Sequence, residues 1–229
     1  IHIHKCIISN EIDINLNLTK KLIFIFKKLK IKNNIFISSV NSFENTKSNY
    51  GISKLKSEQI YKTLENYVII RPSTIIDIDY KKKIIFGGKG GKSLNSLNKL
   101  ILNSLIIPVA GTGKYLQTVC FGEDLGKFIK SIVIDNLFLN KITNFYSGEL
   151  INYNEFLSVI LKFKNVSRLK IYIPKILIIK IIYLLKKIFK NVDISSQNIE
   201  NMTGQKIEYD NTKEIEKLIR LKKFYKITL

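Results

Sequence analysis

Residues 34–72 begin with Asn34-Ile35-Phe36-Ile37-Ser38-Ser39, pass through Tyr50-Gly51-Ile52-Ser53-Lys54 and Glu58, and end on Tyr67-Val68-Ile69-Ile70-Arg71-Pro72. The first block is a short apolar run closed by two serines, the pattern of a buried strand. Tyr50 to Leu64 sets Ile52, Leu55, Ile60 and Leu64 at helical spacing, and Tyr67 to Ile70 is a second buried strand that Arg71-Pro72 is expected to stop. Upstream, Ile1 to Ile8 reads as another buried strand. The segment from Leu16 to Lys30 places Leu18, Leu22, Ile25, Phe26 and Leu29 on one side of a helix. Strands that alternate with helices in this way build a parallel sheet joined by crossover helices.

Beyond Asp77 the regularity changes. A Lys81-Lys82-Lys83 run and a Gly-rich stretch from Gly87 to Gly91 precede a helix at about Leu94 to Leu105. A strand at Thr118 to Phe121, helices at Glu123 to Ile134 and Tyr153 to Phe163, and a strand at Asn144 to Tyr146 follow. The expectation is an α/β chain in two parts. Residues 1–80 form the C-terminal part of an incomplete Rossmann-like parallel sheet, and residues 81–229 form a smaller α/β substrate lobe with elements returning to the core.

Composition narrows the function. With 229 residues and 45% hydrophobic content the chain can bury a core, and it is too apolar for disorder. Its net charge of +20 raises nucleic acid as a partner. Only Arg71, Arg168 and Arg220 are arginines, however, and the lysines are scattered among Ile and Asn, so a solvated surface and no nucleic-acid partner are expected. Cys6 and Cys120 lie in separate apolar runs, as core thiols of a reducing compartment do, and the start has no signal-peptide layout. A cytoplasmic protein is the resulting expectation. His2 and His4 are the only histidines, so no metal site is expected.

The most hydrophobic stretch, Ile171 to Phe189, is interrupted by Lys175, Lys180, Lys186 and Lys187 and cannot span a bilayer. As a helix from Ile176 to Phe189 its lysines occupy an arc of about 140°, opposite Leu177, Ile178, Ile181, Ile182, Leu184, Leu185, Ile188 and Phe189. Such a basic amphipathic helix either buries its apolar side in the lobe, the expectation preferred here, or makes a peripheral membrane contact through 176–189.

Chemistry concentrates at Ser39, Tyr50 and Lys54. Tyr and Lys at i and i+4 share a helix face, so the ammonium lies near the phenol and favours its ionised form. Such a phenol can take a proton from a sugar or alcohol hydroxyl while the carbon gives a hydride to a nicotinamide. A serine at the carboxyl end of the adjacent strand can orient the same oxygen, where doubly wound folds place their ligands.

The succession Phe36-Ile37-Ser38-Ser39, Tyr50-Gly51-Ile52-Ser53-Lys54 with Glu58, and Val68-Ile69-Ile70-Arg71-Pro72-Ser73 resembles three landmarks of the extended short-chain dehydrogenases/reductases, the NAD-dependent epimerases and dehydratases. Ile1 to His4, Ile14 to Thr19, Pro108 to Gly113, Phe121 to Leu125 and Asp210 to Lys213 are similar to further elements of that family. The resemblance implies an NAD(P)-dependent epimerase, dehydratase or reductase acting on a nucleotide sugar or related sugar. In it Tyr50 is the general base and acid, and Lys54 lowers its pKa and binds the nicotinamide ribose. Ser39 orients the substrate, Asn15 supports the site from the neighbouring helix, and Pro72 and Ser73 line the nicotinamide pocket. The cofactor is NAD or NADP; the sequence does not choose between them, nor between a monomer and a homodimer.

The chain also departs from the family. It has no Gly-x-Gly-x-x-Gly turn, so the resemblance begins about two βα units into the family's fold. Asn41-Ser42-Phe43-Glu44 replaces the common Val-Tyr-Gly, and Gln117 stands where many members carry a phosphate-pairing Arg. The alternative is therefore a catalytically silent or truncated member that serves as a binding or membrane-associated protein.

Overall fold

The computed structural model describes residues 9–46, 48–81, 84–87, 92–148, 150–188, 212–224 and 226. The opening run with His2, His4 and Cys6, most of the Gly-rich stretch, and Asp210-Asn211 lie outside them. The chain divides into two units: Ile1–Thr74 with Cys120–Tyr146 and Glu208–Leu221, and Ile75–Val119 with Ser147–Ile207 and Lys222–Leu229.

In the first unit α1 (Ser9–Lys28) leads to β1 (Asn34–Ile37), α2 (Asn49–Tyr61) and β2 (Tyr67–Pro72). β1 pairs with β2 in parallel, with Phe36 opposite Ile69. Later in the chain α4 (Gly122–Asp135) precedes β8 (Lys141–Phe145), which pairs in parallel with the other side of β2, with Ile69 opposite Ile142. β2 is thus the central strand, and Val68, Ile69 and Ile70 are buried on both of its faces, as a doubly covered parallel sheet demands.

Alternation assigns the two faces. Ile69 packs with Ile23, Tyr61 and Leu64, joined by Phe36 and Ile142, so α1 and α2 cover this side. Phe145, three residues beyond Ile142 and so on the opposite face of β8, stacks on Phe128 of α4 at 5.0 Å between ring centroids, which puts α4 on the other side. α7 (Thr212–Leu218) packs beside α4. The mixed α/β architecture read from the sequence, with a parallel sheet between crossover helices, is the one observed.

The helix ends have identifiable causes. Ser48 caps α2 by accepting the Gly51 N–H at 2.9 Å. α4 ends at Asn136 with φ 50°, a left-handed conformation that asparagine tolerates. Two boundaries differ from expectation. β2 runs through Arg71 and Pro72 instead of stopping before them: proline lacks only a donor, and its carbonyl still accepts the Val40 N–H at 3.2 Å. α1 begins at Ser9, seven residues before Leu16, so Asn15 is inside the helix and does not cap it.

The second unit contains α3 (Lys92–Asn103) and α5 (Tyr153–Lys164), with several short strands. β3 (Thr74–Asp79) and β4 (Ile84–Phe86) form an antiparallel hairpin, and β6 (Leu116–Gln117) pairs antiparallel with β9 (Ile151–Asn152). β5 (Ile106–Ala110) pairs in parallel with β10 (Leu169–Ile173). β7 (Val119–Phe121) leads into α4, and α6 (Lys175–Ile188) follows β10. A reciprocal capping box starts α5: Asn152 Oδ1 accepts the Glu155 N–H at 3.0 Å, and Glu155 Oε2 accepts the Asn152 N–H at 2.8 Å. Five of these strands, β3, β4, β6, β9 and β10, answer to no strand read from the sequence.

Candidate active site

All six residues singled out from the sequence fall in the first unit. Ser39, Pro72 and Ser73 stand at the carboxyl ends of its parallel strands. The backbone stays zipped past the end of β1, where Ser38 N–H donates to the Ile70 carbonyl at 2.7 Å. Ser73 N–H donates to the Phe145 carbonyl at 2.9 Å. This is the edge at which open α/β sheets bind ligands.

α2 brings Tyr50 and Lys54 to that edge. Lys54 is buried, and its Nζ donates to the carbonyl of Ile37, the last residue of β1, at 2.9 Å. The ammonium sits 5.8 Å from the centroid of the half-buried Tyr50 ring and 5.0 Å from that of Phe36. One fixed cation therefore faces two aromatic rings, and both contacts favour the charged ammonium.

One turn beyond Lys54, Glu58 is 1% exposed. A carboxylate that deep must be paired. Arg71 supplies the pair from the end of β2, through Nε to Oε1 at 2.8 Å and Nη2 to Oε2 at 2.6 Å. Ser38 adds a hydroxyl bond to Oε1 at 2.5 Å and lies 3.0 Å from Ser42 Oγ. Glu58 thus ties α2 to the ends of both β1 and β2, on the face that carries Lys54. The sequence reading quoted Glu58 and Arg71 only as landmarks; the available signal was an acidic residue one helical turn after a buried lysine.

Ser39 is also buried, and its Oγ accepts the Asn41 N–H at 3.2 Å, so part of its role is to shape the strand-end turn. Gly51 makes room for the same loop, since a Cβ there would collide with the Asn41 carbonyl and the Thr46 side chain. Asn15 lies behind α2: its Nδ2 donates to Ser53 Oγ at 3.4 Å, and Thr19 repeats the pattern with Ser57 at 3.3 Å. From α1 it supports the helix that carries Tyr50 and Lys54. Ser73 Oγ is buried and makes no hydrogen bond, an arrangement that costs stability unless a ligand supplies the partner.

No protein-family model matches the chain, and no curated protein matches it. Solved structures do. A nucleoside-diphosphate-sugar epimerase from Staphylococcus aureus superimposes with a TM-score of 0.68 at 9% identity, over 100% of this chain and 75% of the other. The dTDP-4-dehydrorhamnose reductase of Bacillus anthracis in complex with NADP gives 0.65 at 14% identity, over 96% and 73%. UDP-glucose 4-epimerase of Thermotoga maritima, solved with UDP-glucose, gives 0.54 at 16% identity, over 72% and 58%. The chain spans little more than half the length of that last enzyme. Its fold is the one these sugar epimerase and reductase structures share.

Proposed function

We propose that the chain carries the catalytic edge of an NAD(P)-dependent oxidoreductase-type enzyme, an epimerase, dehydratase or reductase, acting on a nucleotide sugar or related sugar. The observation that carries this reading is the buried Lys54 ammonium, pinned to the Ile37 carbonyl and facing the Tyr50 ring at the carboxyl ends of a parallel sheet. The similar structures contain NADP or UDP-glucose, which supports the assignment of substrate class.

The residues present fit the nicotinamide half of such a cofactor. Ser73 offers a buried hydroxyl that makes no hydrogen bond at the end of β2, and Lys54 offers a fixed cation at the end of the neighbouring strand β1. When bound, the nicotinamide supplies the hydride acceptor or donor. The chain's part is proton management. Tyr50 Oη takes the proton from a substrate hydroxyl as the carbon loses its hydride, and returns it in the reverse step. Lys54 holds positive charge beside the phenol so that its anion is stabilised, and Ser39 orients the substrate oxygen. Pro72 shapes the wall of the pocket, and Asn15 steadies α2. The first unit is then the dinucleotide side and the second the substrate lobe.

The test is cofactor binding and turnover by the full-length gene product, compared with Tyr50→Phe. Intact NAD(P) binding with turnover reduced by at least about 10²-fold supports the reading. Undiminished turnover in Tyr50→Phe removes the phenol from the chemistry, and cofactor binding without any turnover in the unaltered protein points to a silent member.

A further inference from the structure

The sequence leads one to expect that the basic amphipathic helix buries its apolar side. Of that apolar side, Leu177 and Ile181 are nearly half exposed and Ile178 is half-buried, while the side chains at 182, 184, 185, 188 and 189 lie outside those described; on the lysine side Ile176 is 68% exposed, Tyr183 72%, and Lys180 is exposed. At 100° per residue the five exposed positions form one continuous outward side. The strand that precedes α6 does the same. On β10, Leu169 and Ile171 are exposed, and their register partners on β5, Ile106 and Pro108, are exposed beside them. Ile107 and Val109, which alternate with those partners, are fully buried. The face of this two-stranded sheet that carries Leu169, Ile171, Ile106 and Pro108 is therefore apolar and turned outward.

Along this part of the sequence the charge has one sign. From Phe156 to Val192 the sequence contains no Asp or Glu and nine basic residues: Arg168 and the lysines at 162, 164, 170, 175, 180, 186, 187 and 190. Among the described residues no helix is long and apolar enough to cross a membrane. Exposed aliphatic and tyrosine side chains interleaved with lysine are what a bilayer interface takes up: the rings and aliphatic groups enter the acyl boundary while the ammonium groups stay at the phosphates. A nucleic-acid backbone has no use for the aliphatic part. The single arginine here spends its guanidinium on the Ile101 and Ser167 carbonyls.

We propose that the outer side of α6 and of the β5–β10 sheet docks onto an anionic lipid bilayer, lying on it without spanning it. This reading is independent of the chemistry proposed for Tyr50 and Lys54.

The test is co-sedimentation of the whole chain with vesicles of phosphatidylcholine alone or with added phosphatidylglycerol. Binding is expected only with phosphatidylglycerol and weakens as salt rises. Replacing Lys175 and Lys180 by Ala lowers the partition coefficient about fivefold per lysine, and Ile176→Glu with Ile181→Glu lowers it roughly tenfold per site. Leu169→Glu, on a different element, reproduces the loss, and circular dichroism melts of each variant establish that it arises at the surface. Equal binding to both vesicle types, no binding to either, or full binding by the Glu variants overturns the proposal. So does binding to duplex DNA, or self-association through this face, in place of vesicle binding.

Discussion

The guanidinium of Arg71 grips the carboxylate of Glu58 edge to edge, with Nε–Oε1 at 2.8 Å and Nη2–Oε2 at 2.6 Å, although the two residues belong to a strand end and a helix one crossover apart. Removing one member leaves the other charge stranded in the interior. Glu58→Ala is expected to cost about 3–5 kcal/mol, whereas Glu58→Leu combined with Arg71→Met recovers most of that loss. Urea unfolding followed by circular dichroism measures both. Equal costs for the single and double variants would show that no isolated charge is being penalised.

Lys54→Met removes the cation but keeps most of the volume. Turnover is expected to fall by about 10²–10⁴-fold, while stability changes by only the roughly 1 kcal/mol of the hydrogen bond to Ile37. Steady-state kinetics and thermal melts of the same preparation separate the two effects, and a collapse of stability together with activity would make Lys54 a structural residue first.

Gly51→Ala tests the packing of the loop on α2. The added methyl meets the Asn41 carbonyl and Thr46, and overpacking of this kind costs about 1–3 kcal/mol. Alanine is the better helix former, so a stabilised variant in the melt would mean that the loop simply moves aside.

Alkaline stability reports on the second unit. Tyr115 and Tyr153 stack at 5.1 Å between centroids. Burial pushes the Tyr153 phenol up to about 12, and burial with its neighbour Tyr153 raises Tyr115 as well. The folded state therefore holds these protons more tightly than the unfolded one. Their contribution is fully present below the unfolded value of about 10 and is lost as pH rises towards 12. The difference in melting temperature between the native chain and Tyr115→Phe/Tyr153→Phe is expected to widen from pH 10 upwards. A constant difference across that range would exclude a role for their ionisation.

The sequence reveals most of the first unit because its signals are local. Phe36-Ile37 and Val68-Ile69-Ile70 read as apolar strands, the first half-buried and the second buried on both faces, and the four-residue step from Tyr50 to Lys54 places both on one side of a helix. Glu58 was legible only as a landmark, since its partners Ser38 and Arg71 come from strands whose register the sequence does not state. β10 and β4 were missed because Leu169 to Ile173 is half exposed on both sides and Ile84 to Phe86 is three residues long, too little for periodicity to register. The side of α6 expected to be buried shows Leu177 and Ile181 nearly half exposed, and amphipathicity by itself says nothing of what meets an apolar side.

The bonds from Ser38 and Arg71 to Glu58 have a kinetic corollary. They span sequence separations of 20 and 13 residues, so the β1–α2–β2 segment closes on itself before any distant strand must be recruited, and short loops close first. The amides of β1 and β2 are accordingly expected to be among the slowest of the chain to exchange with deuterium, because the crossover would act as the cooperative unit on which β8, arriving some seventy residues later, is assembled.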